Sequence, residues 1–199
     1  MQFKFKNIKI TVSFTFFALI ILLVIFNKND FLYFTCFFAI IHELGHLFTL
    51  NKFGVKICEL KISLFGVNIK TESFKRISIK KEIIILLSGP LINLCLSAVL
   101  YFLNLIIENI DFNNLISINL GLGIFNLLPF YNFDGGKIIE ILLKSKLNEK
   151  ISETIVSCIS FAVLIPLILF SVNIFLQNYK DFYFLVVSLL MLLTIILKK

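Results

Sequence analysis

Six apolar runs, at roughly residues 8–26, 31–50, 82–107, 112–130, 152–176 and 181–197, dominate this sequence. Wound into helices at about 1.5 Å per residue, each comes close to or exceeds the roughly 30 Å of hydrocarbon in a bilayer. Hydrophobic residues make up 59% of the 199 positions, more than the roughly 45–50% typical of a soluble domain. Inside lipid only helices and closed barrels satisfy every backbone polar group. The expected fold is therefore an all-α membrane protein of six transmembrane helices, forming one integral membrane domain over residues 1–199.

Basic residues set the orientation, because lysine- and arginine-rich segments stay in the cytoplasm. With the N-terminus inside, Lys4, Lys6, Lys9, every basic residue from Lys52 to Lys81 and from Lys137 to Lys150, and Lys198 and Lys199 are cytoplasmic. Of the 19 basic residues only Lys28 and Lys180 fall outside. Both termini are thus expected in the cytoplasm, and the net charge of +7 has a topological cause that removes the case for nucleic acid as a partner. The opening "MQFKFKNIKITVSFTFFALIILLVIF" places lysines before an apolar run, as a signal peptide does. It lacks a small-residue cleavage pattern and further spans follow, so it reads as a retained first helix.

The connection from 51 to 81 contains "CELKISLFGVNIK", where Leu60, Ile62 and Leu64 alternate with Glu59, Lys61 and Ser63. Period-two alternation followed by a turn signal predicts a short β-hairpin at the membrane surface between helices two and three. Its strand edge could pair with an extended polypeptide. Cys36, Cys58, Cys95 and Cys158 form no C-x-x-C pair. They read as small buried hydrophobes rather than a disulfide framework or a thiolate metal site.

Both histidines of the chain lie in "AIIHELGHLFTL", residues 39–50, in the middle of the second span. On a helix, positions four apart stand one above the other. His42 and His46 can then reach a single metal ion, with Glu43 beside the open coordination position. A satisfied polar pair in a helix bundle is the bland alternative. Ionisable residues at membrane depth are costly and usually functional, which favours the metal.

Two imidazoles are too few for a catalytic zinc, which takes three protein ligands. The other carboxylate at membrane depth is Asp134, in "FNLLPFYNFDGGKIIEILLK". Pro129 breaks the fourth helix, Gly135 and Gly136 let the backbone turn, and a short helix resumes with Lys137, Glu140 and Lys144 on its polar side. Asp134 could equally cap that helix, and a cap and a ligand are not exclusive. Helices two and four run in the same direction, which puts His42, His46 and Asp134 at similar depth towards the cytoplasm. In the third span Gly89 and Pro90 are expected to kink the helix and allow close packing, with Asn93 a polar neighbour of the site.

"HELGH" in the second span, "SGPLIN" (88–93) in the third and "NLLPFYNFDGG" (126–136) in the fourth together resemble the site-2 protease family of intramembrane zinc metalloproteases, peptidase family M50. The six-helix bacterial branch that contains the sporulation protease processing pro-sigma-K is the more similar one. The resemblance implies one zinc per chain held by His42, His46 and Asp134, Glu43 as the catalytic acid/base, and Asn126 in the active-site region, holding substrate or the oxyanion. It implies a protein substrate with a membrane-associated segment, cut near the cytoplasmic face of the cell membrane, and allows for inhibitory membrane partner proteins. The branch commonly adds a CBS domain, and relatives carry prolines where this chain has "FYNF" between Pro129 and Asp134. Two rival readings use the same residues. A proton or metal ion transporter predicts flux that survives Glu43→Gln; a noncatalytic membrane scaffold leaves the ligand set unexplained.

Overall fold

A computed structural model of the chain describes residues 2–5, 8–12, 31–55, 57–63, 66–71, 77–107, 109–177 and 182–196. It comprises two units, Met1–Asn126 and Leu127–Lys199.

The first unit opens with two strands, β1 (Gln2–Phe5) and β2 (Ile8–Val12). The first helix, expected over 8–26, therefore does not begin at residue 8, and residues 13–30 lie outside the described residues. The reason is local. "QFKF" and "IKITV" alternate polar and apolar positions with the period of a strand, and β3 (Ile57–Ser63) offers β2 a partner. With β4 (Gly66–Thr71) they make a four-stranded sheet in the order β1-β2-β3-β4, so the expected all-α fold carries a sheet as well. β1 and β2 pair antiparallel, β2 and β3 parallel with Lys9 opposite Glu59, and β3 and β4 antiparallel with Leu60 opposite Ile69. β3 is thus paired on both sides, and β1 and β4 are the outer strands.

Helix α1 (Phe31–Lys52) covers the second apolar run. Gly54, at φ 68°, ends it. The Val55 N–H donates to the Leu50 carbonyl and the Gly54 N–H to the Asn51 carbonyl, the paired bonds that close a helix on a left-handed residue. Helix α2 (Ile79–Ile106) runs through the third, with Pro90 inside it. Helix α3 (Asn113–Leu127) starts where the Asp111 carboxylate accepts the Asn113 N–H at 2.9 Å. It stops at Leu127 rather than the expected 130, because a residue preceding proline is driven out of the helical region. At 15 residues it is about 22 Å long.

In the second unit, α4 (Asp134–Lys144), α5 (Glu149–Gln177) and α6 (Phe182–Ile196) follow one another. Phe130, Leu164 and Ile195 form its core, with Phe133, Ile168, Met191 and Leu192 packed around them. Lys144 ties α4 to α5, its ammonium 2.8 Å from Glu140, 3.0 Å from Glu149 and 3.6 Å from Glu153. The hydrogen bond that it donates to Glu140 is the main cause that holds this lysine well above its ordinary pKa, against the opposing effect of desolvation. A folded-state pKa raised in this way gives stability that is present below the unfolded value of about 10.4 and lost as pH rises through the folded one. Lys144→Met should lower stability at neutral pH by only about 0.2–1 kcal/mol, since the group is partly solvated. Thermal unfolding in detergent at pH 7 measures it.

Among the described residues, three helices, Tyr33–Lys52, Ile79–Ile106 and Glu149–Gln177, are long and apolar enough to cross a membrane. Their burial is inverted relative to a soluble protein. On α1 the buried side chains include His42, His46 and Thr49, while Phe37, Ile40, Leu44 and Phe48 are exposed. On α5 Ser152, Ser160 and Ser171 are buried while Leu169 and Phe170 are exposed. Small and polar groups inside with large apolar groups outside is the arrangement that a hydrocarbon solvent favours. Cys36, Cys95 and Cys158, expected to be buried, stand on these outward faces as free thiols.

Candidate metal centre

The packing of α1 on α2 explains where the histidines point. Phe38, His42, His46 and Thr49 form one buried row on α1, and Ile85, Gly89, Asn93 and Ser97 form one on α2. The rows repeat at nearly every fourth residue, so they present continuous ridges to each other. Two glycines let the ridges approach. A Cβ on Gly45 would stand 3.0 Å from the Ser88 carbonyl oxygen and 3.3 Å from the Gly89 Cα, and one on Gly89 would run into the His46 ring and come within 2.7 Å of His42 Nε2. "HELGH" and "SGPLIN" are thus two halves of one contact.

His42 is 5% exposed and His46 6%, and each ring is held through Nδ1. His42 Nδ1 lies 2.9 Å from Asn93 Oδ1 and His46 Nδ1 lies 2.7 Å from the Ile85 carbonyl oxygen. A carbonyl oxygen can only accept, so the His46 proton sits on Nδ1; with Asn93 Oδ1 facing it, so does that of His42. The two Nε2 atoms then face each other as lone pairs, 3.2 Å apart. Two imidazole nitrogens turned towards one point at that separation can share a single cation. Ligand nitrogens about 2.05 Å from one tetrahedral ion would stand about 3.3 Å apart. Orientation of metal-binding imidazoles through the second nitrogen, by a carbonyl or amide oxygen, is the usual supporting arrangement. The donor chemistry of this pair fits zinc.

Glu43 is half-buried and follows His42 on α1, about 100° round the helix. Asn126 is half-buried near the end of α3 and donates through Nδ2 to the Leu122 carbonyl at 2.9 Å. That nitrogen carries a second N–H.

Asp134 belongs to the second unit. It is the first residue of α4 and 5% exposed, and Lys137 Nζ lies 3.7 Å from its Oδ1. The cap position itself is taken by Phe133, so Asp134 sits just inside the helix, where the N-terminal dipole favours a negative charge. Gly135 and Gly136 do not serve as flexible hinges. A Cβ on Gly135 would overlap the Leu127 carbonyl, and one on Gly136 the Phe130 carbonyl. They are places where the backbone of residues 127–130 folds directly against the start of α4. The Tyr131 N–H, donating to Ser160 Oγ at 2.9 Å, fastens this loop to α5.

Sequence reasoning singled out His42, Glu43, His46, Asn126 and Asp134 and noted Asn93. It missed Asn119, which is fully buried and hydrogen-bonded to Asn93. An asparagine inside an apolar run was the signal available. The Ile85 carbonyl has no signal in sequence at all.

Apolar helices with buried imidazoles facing one another define a membrane protein with a metal-type centre. The model of peptidase family M50 matches residues 31–114 and 107–169. The chain belongs to that family, the site-2 protease family. It is 30% identical over 190 residues to a zinc metalloprotease of Methanocaldococcus jannaschii, a match covering 87% of this chain and 55% of that one. It is 29% identical over 111 residues to stage IV sporulation protein FB of Bacillus subtilis, covering 55% of this chain and 38% of that one. The chain thus spans about half the length, or less, of these two relatives. Among solved structures, the site-2 protease from Methanocaldococcus jannaschii superposes with a TM-score of 0.70 at 26% identity, over 96% of this chain and 91% of that chain.

Proposed function

We propose that this chain is an intramembrane zinc metalloprotease that cleaves membrane-associated or membrane-spanning protein substrates near the cytoplasmic face. The observation that carries it is the pair of imidazoles on α1, each with Nδ1 donated to an oxygen and Nε2 turned to the other at 3.2 Å, in a member of peptidase family M50. His42, His46 and Asp134 hold one zinc; two imidazoles and a carboxylate are a donor set able to bind it. The family match crosses from the first unit into the second, which supports reading them as one protease domain; six transmembrane helices with both termini in the cytoplasm is the topology that the distribution of basic residues favours.

Zinc, when bound, supplies Lewis-acid activation of water and of the peptide carbonyl. Glu43 takes a proton from the attacking water and gives it to the leaving amine. Asn126 donates its second amide N–H to the substrate carbonyl oxygen as charge develops there. A helical substrate has its peptide groups bonded internally and must be extended before attack. The outer strand β4 is the edge along which an extended segment pairs; Ser63, on the doubly paired β3, is a structural position instead.

The substrate to try first is a membrane-associated pro-sigma factor, given the similarity to stage IV sporulation protein FB; a single-pass anti-sigma factor or signal-peptide remnant is the second. Inhibitory membrane partner proteins are the regulators to look for. The test is zinc content of the purified protein together with cleavage of a co-expressed substrate. Wild type is expected to hold one zinc and cut; Asp134→Asn is expected to lose most of both. Ion flux without proteolysis would replace this reading with transport.

A further inference from the structure

Asn119 is 0% exposed and lies on α3, where the chemistry proposed above makes no use of it. Its amide nevertheless has a fixed direction. The Leu115 carbonyl, which can only accept, takes the Asn119 Nδ2–H at 2.9 Å, so the oxygen of that amide is the atom left to face Asn93. Asn119 Oδ1 accepts from Asn93 Nδ2 at 3.1 Å, and the Phe38 carbonyl, 3.5 Å away, faces the same nitrogen. Asn93, also 0% exposed, is thereby obliged to turn Oδ1 towards His42 Nδ1 at 2.9 Å.

An asparagine amide is nearly symmetric in shape but opposite in hydrogen bonding at its two ends. Turned over, Asn93 would present an NH2 group to His42. The ring could answer only by accepting at Nδ1, and its proton would move to Nε2, the atom that faces His46. The charge of the ring would be unchanged, but its lone pair would point away from the metal position.

We propose that Asn119 is a positioning residue for the metal centre. Through Asn93 it holds His42 in the Nδ1–H tautomer and so keeps Nε2 available as a zinc ligand. The inference rests on the zinc reading above. It assigns to α3 a part in metal binding although Asn119 is two hydrogen bonds removed from the ligand, in the manner of outer-shell groups that tune affinity.

The test is the zinc affinity of the full chain in detergent, by competition with a chromophoric chelator, with helix content checked by circular dichroism. Asn119→Leu and Asn119→Ala should each bind zinc about 10- to 100-fold more weakly than wild type. Asn93→Asp offers His42 an acceptor whichever way it is turned, but its second oxygen then opposes Asn119 Oδ1. The double variant Asn93→Asp/Asn119→Leu, which removes that opposition, should bind zinc more tightly than Asn119→Leu, a rescue that a mere packing role for Asn119 could not produce. Wild-type affinity in both Asn119 variants overturns the relay, and so does a double variant as weak as Asn119→Leu. A wild-type chain that takes up no zinc overturns the metal reading itself, which separates the two failures.

Discussion

Purified Glu43→Gln protein should carry zinc at the wild-type stoichiometry and cleave its substrate about 10²- to 10⁴-fold more slowly, the range that a positioned acid/base contributes. The substitution preserves size and hydrogen-bonding reach but removes the only proton-accepting oxygen pair adjacent to His42 on α1. It leaves untouched the Nδ1 contacts that orient the imidazoles, to Asn93 and to the Ile85 carbonyl. Metal and activity should therefore separate. Zinc analysis alongside a gel-based cleavage assay reads both, and turnover at the wild-type rate would remove Glu43 from the mechanism.

Gly89→Ala should have the opposite signature, losing metal and activity together. The new methyl would overlap the His46 ring and stand 2.7 Å from His42 Nε2. Retreat is obstructed because α1 meets α2 at this level through Gly45, against which a Cβ would already be only 3.0 Å from the Ser88 carbonyl oxygen. Overpacking of this kind costs about 1–3 kcal/mol, equivalent to about 5- to 150-fold in zinc affinity. Gly121→Ala is the control. Nothing lies within 4 Å of a Cβ at that position on α3, so zinc affinity should not change and the helix should gain up to about 1 kcal/mol in propensity. Chelator competition on the two variants decides the matter, and equal affinities would refute the close-contact account of Gly89.

The sequence made some of this plain and hid the rest for physical reasons. His42 and His46 were legible because a four-residue repeat on a helix is a statement about geometry, and their shared burial follows from it. The strands at 2–5 and 8–12 were overshadowed by the apolar run that begins beside them, although "QFKF" and "IKITV" carry period-two alternation. Pairing of β2 with β3 is a long-range event to which local hydropathy is blind. Gly135 and Gly136 were read as letting the backbone turn, and they lie instead in the first turn of α4. That carbonyls of residues 127 and 130 occupy the space a side chain would need there is a matter of packing that no local pattern announces. Asn119 eluded notice because its role is spent on another asparagine rather than on a reacting group.

The Gly45 to Gly89 contact also has a mechanical meaning. It is a fulcrum. A Cβ on Gly45 would reach within 3.3 Å of the Gly89 Cα, so α1 and α2 touch almost backbone to backbone there, and any change in their crossing angle turns about that point. A tilt of about 10° would carry a helix end about 15 Å away through about 2.6 Å, while atoms about 5 Å from the pivot shift by less than about 1 Å. His42 and His46 flank Gly45, so they ride near the still centre of such a rocking motion. The hydrogen bonds from the two rings to Asn93 and to the Ile85 carbonyl on α2 cross beside that pivot, so they are the contacts between the two rods that such a motion disturbs least.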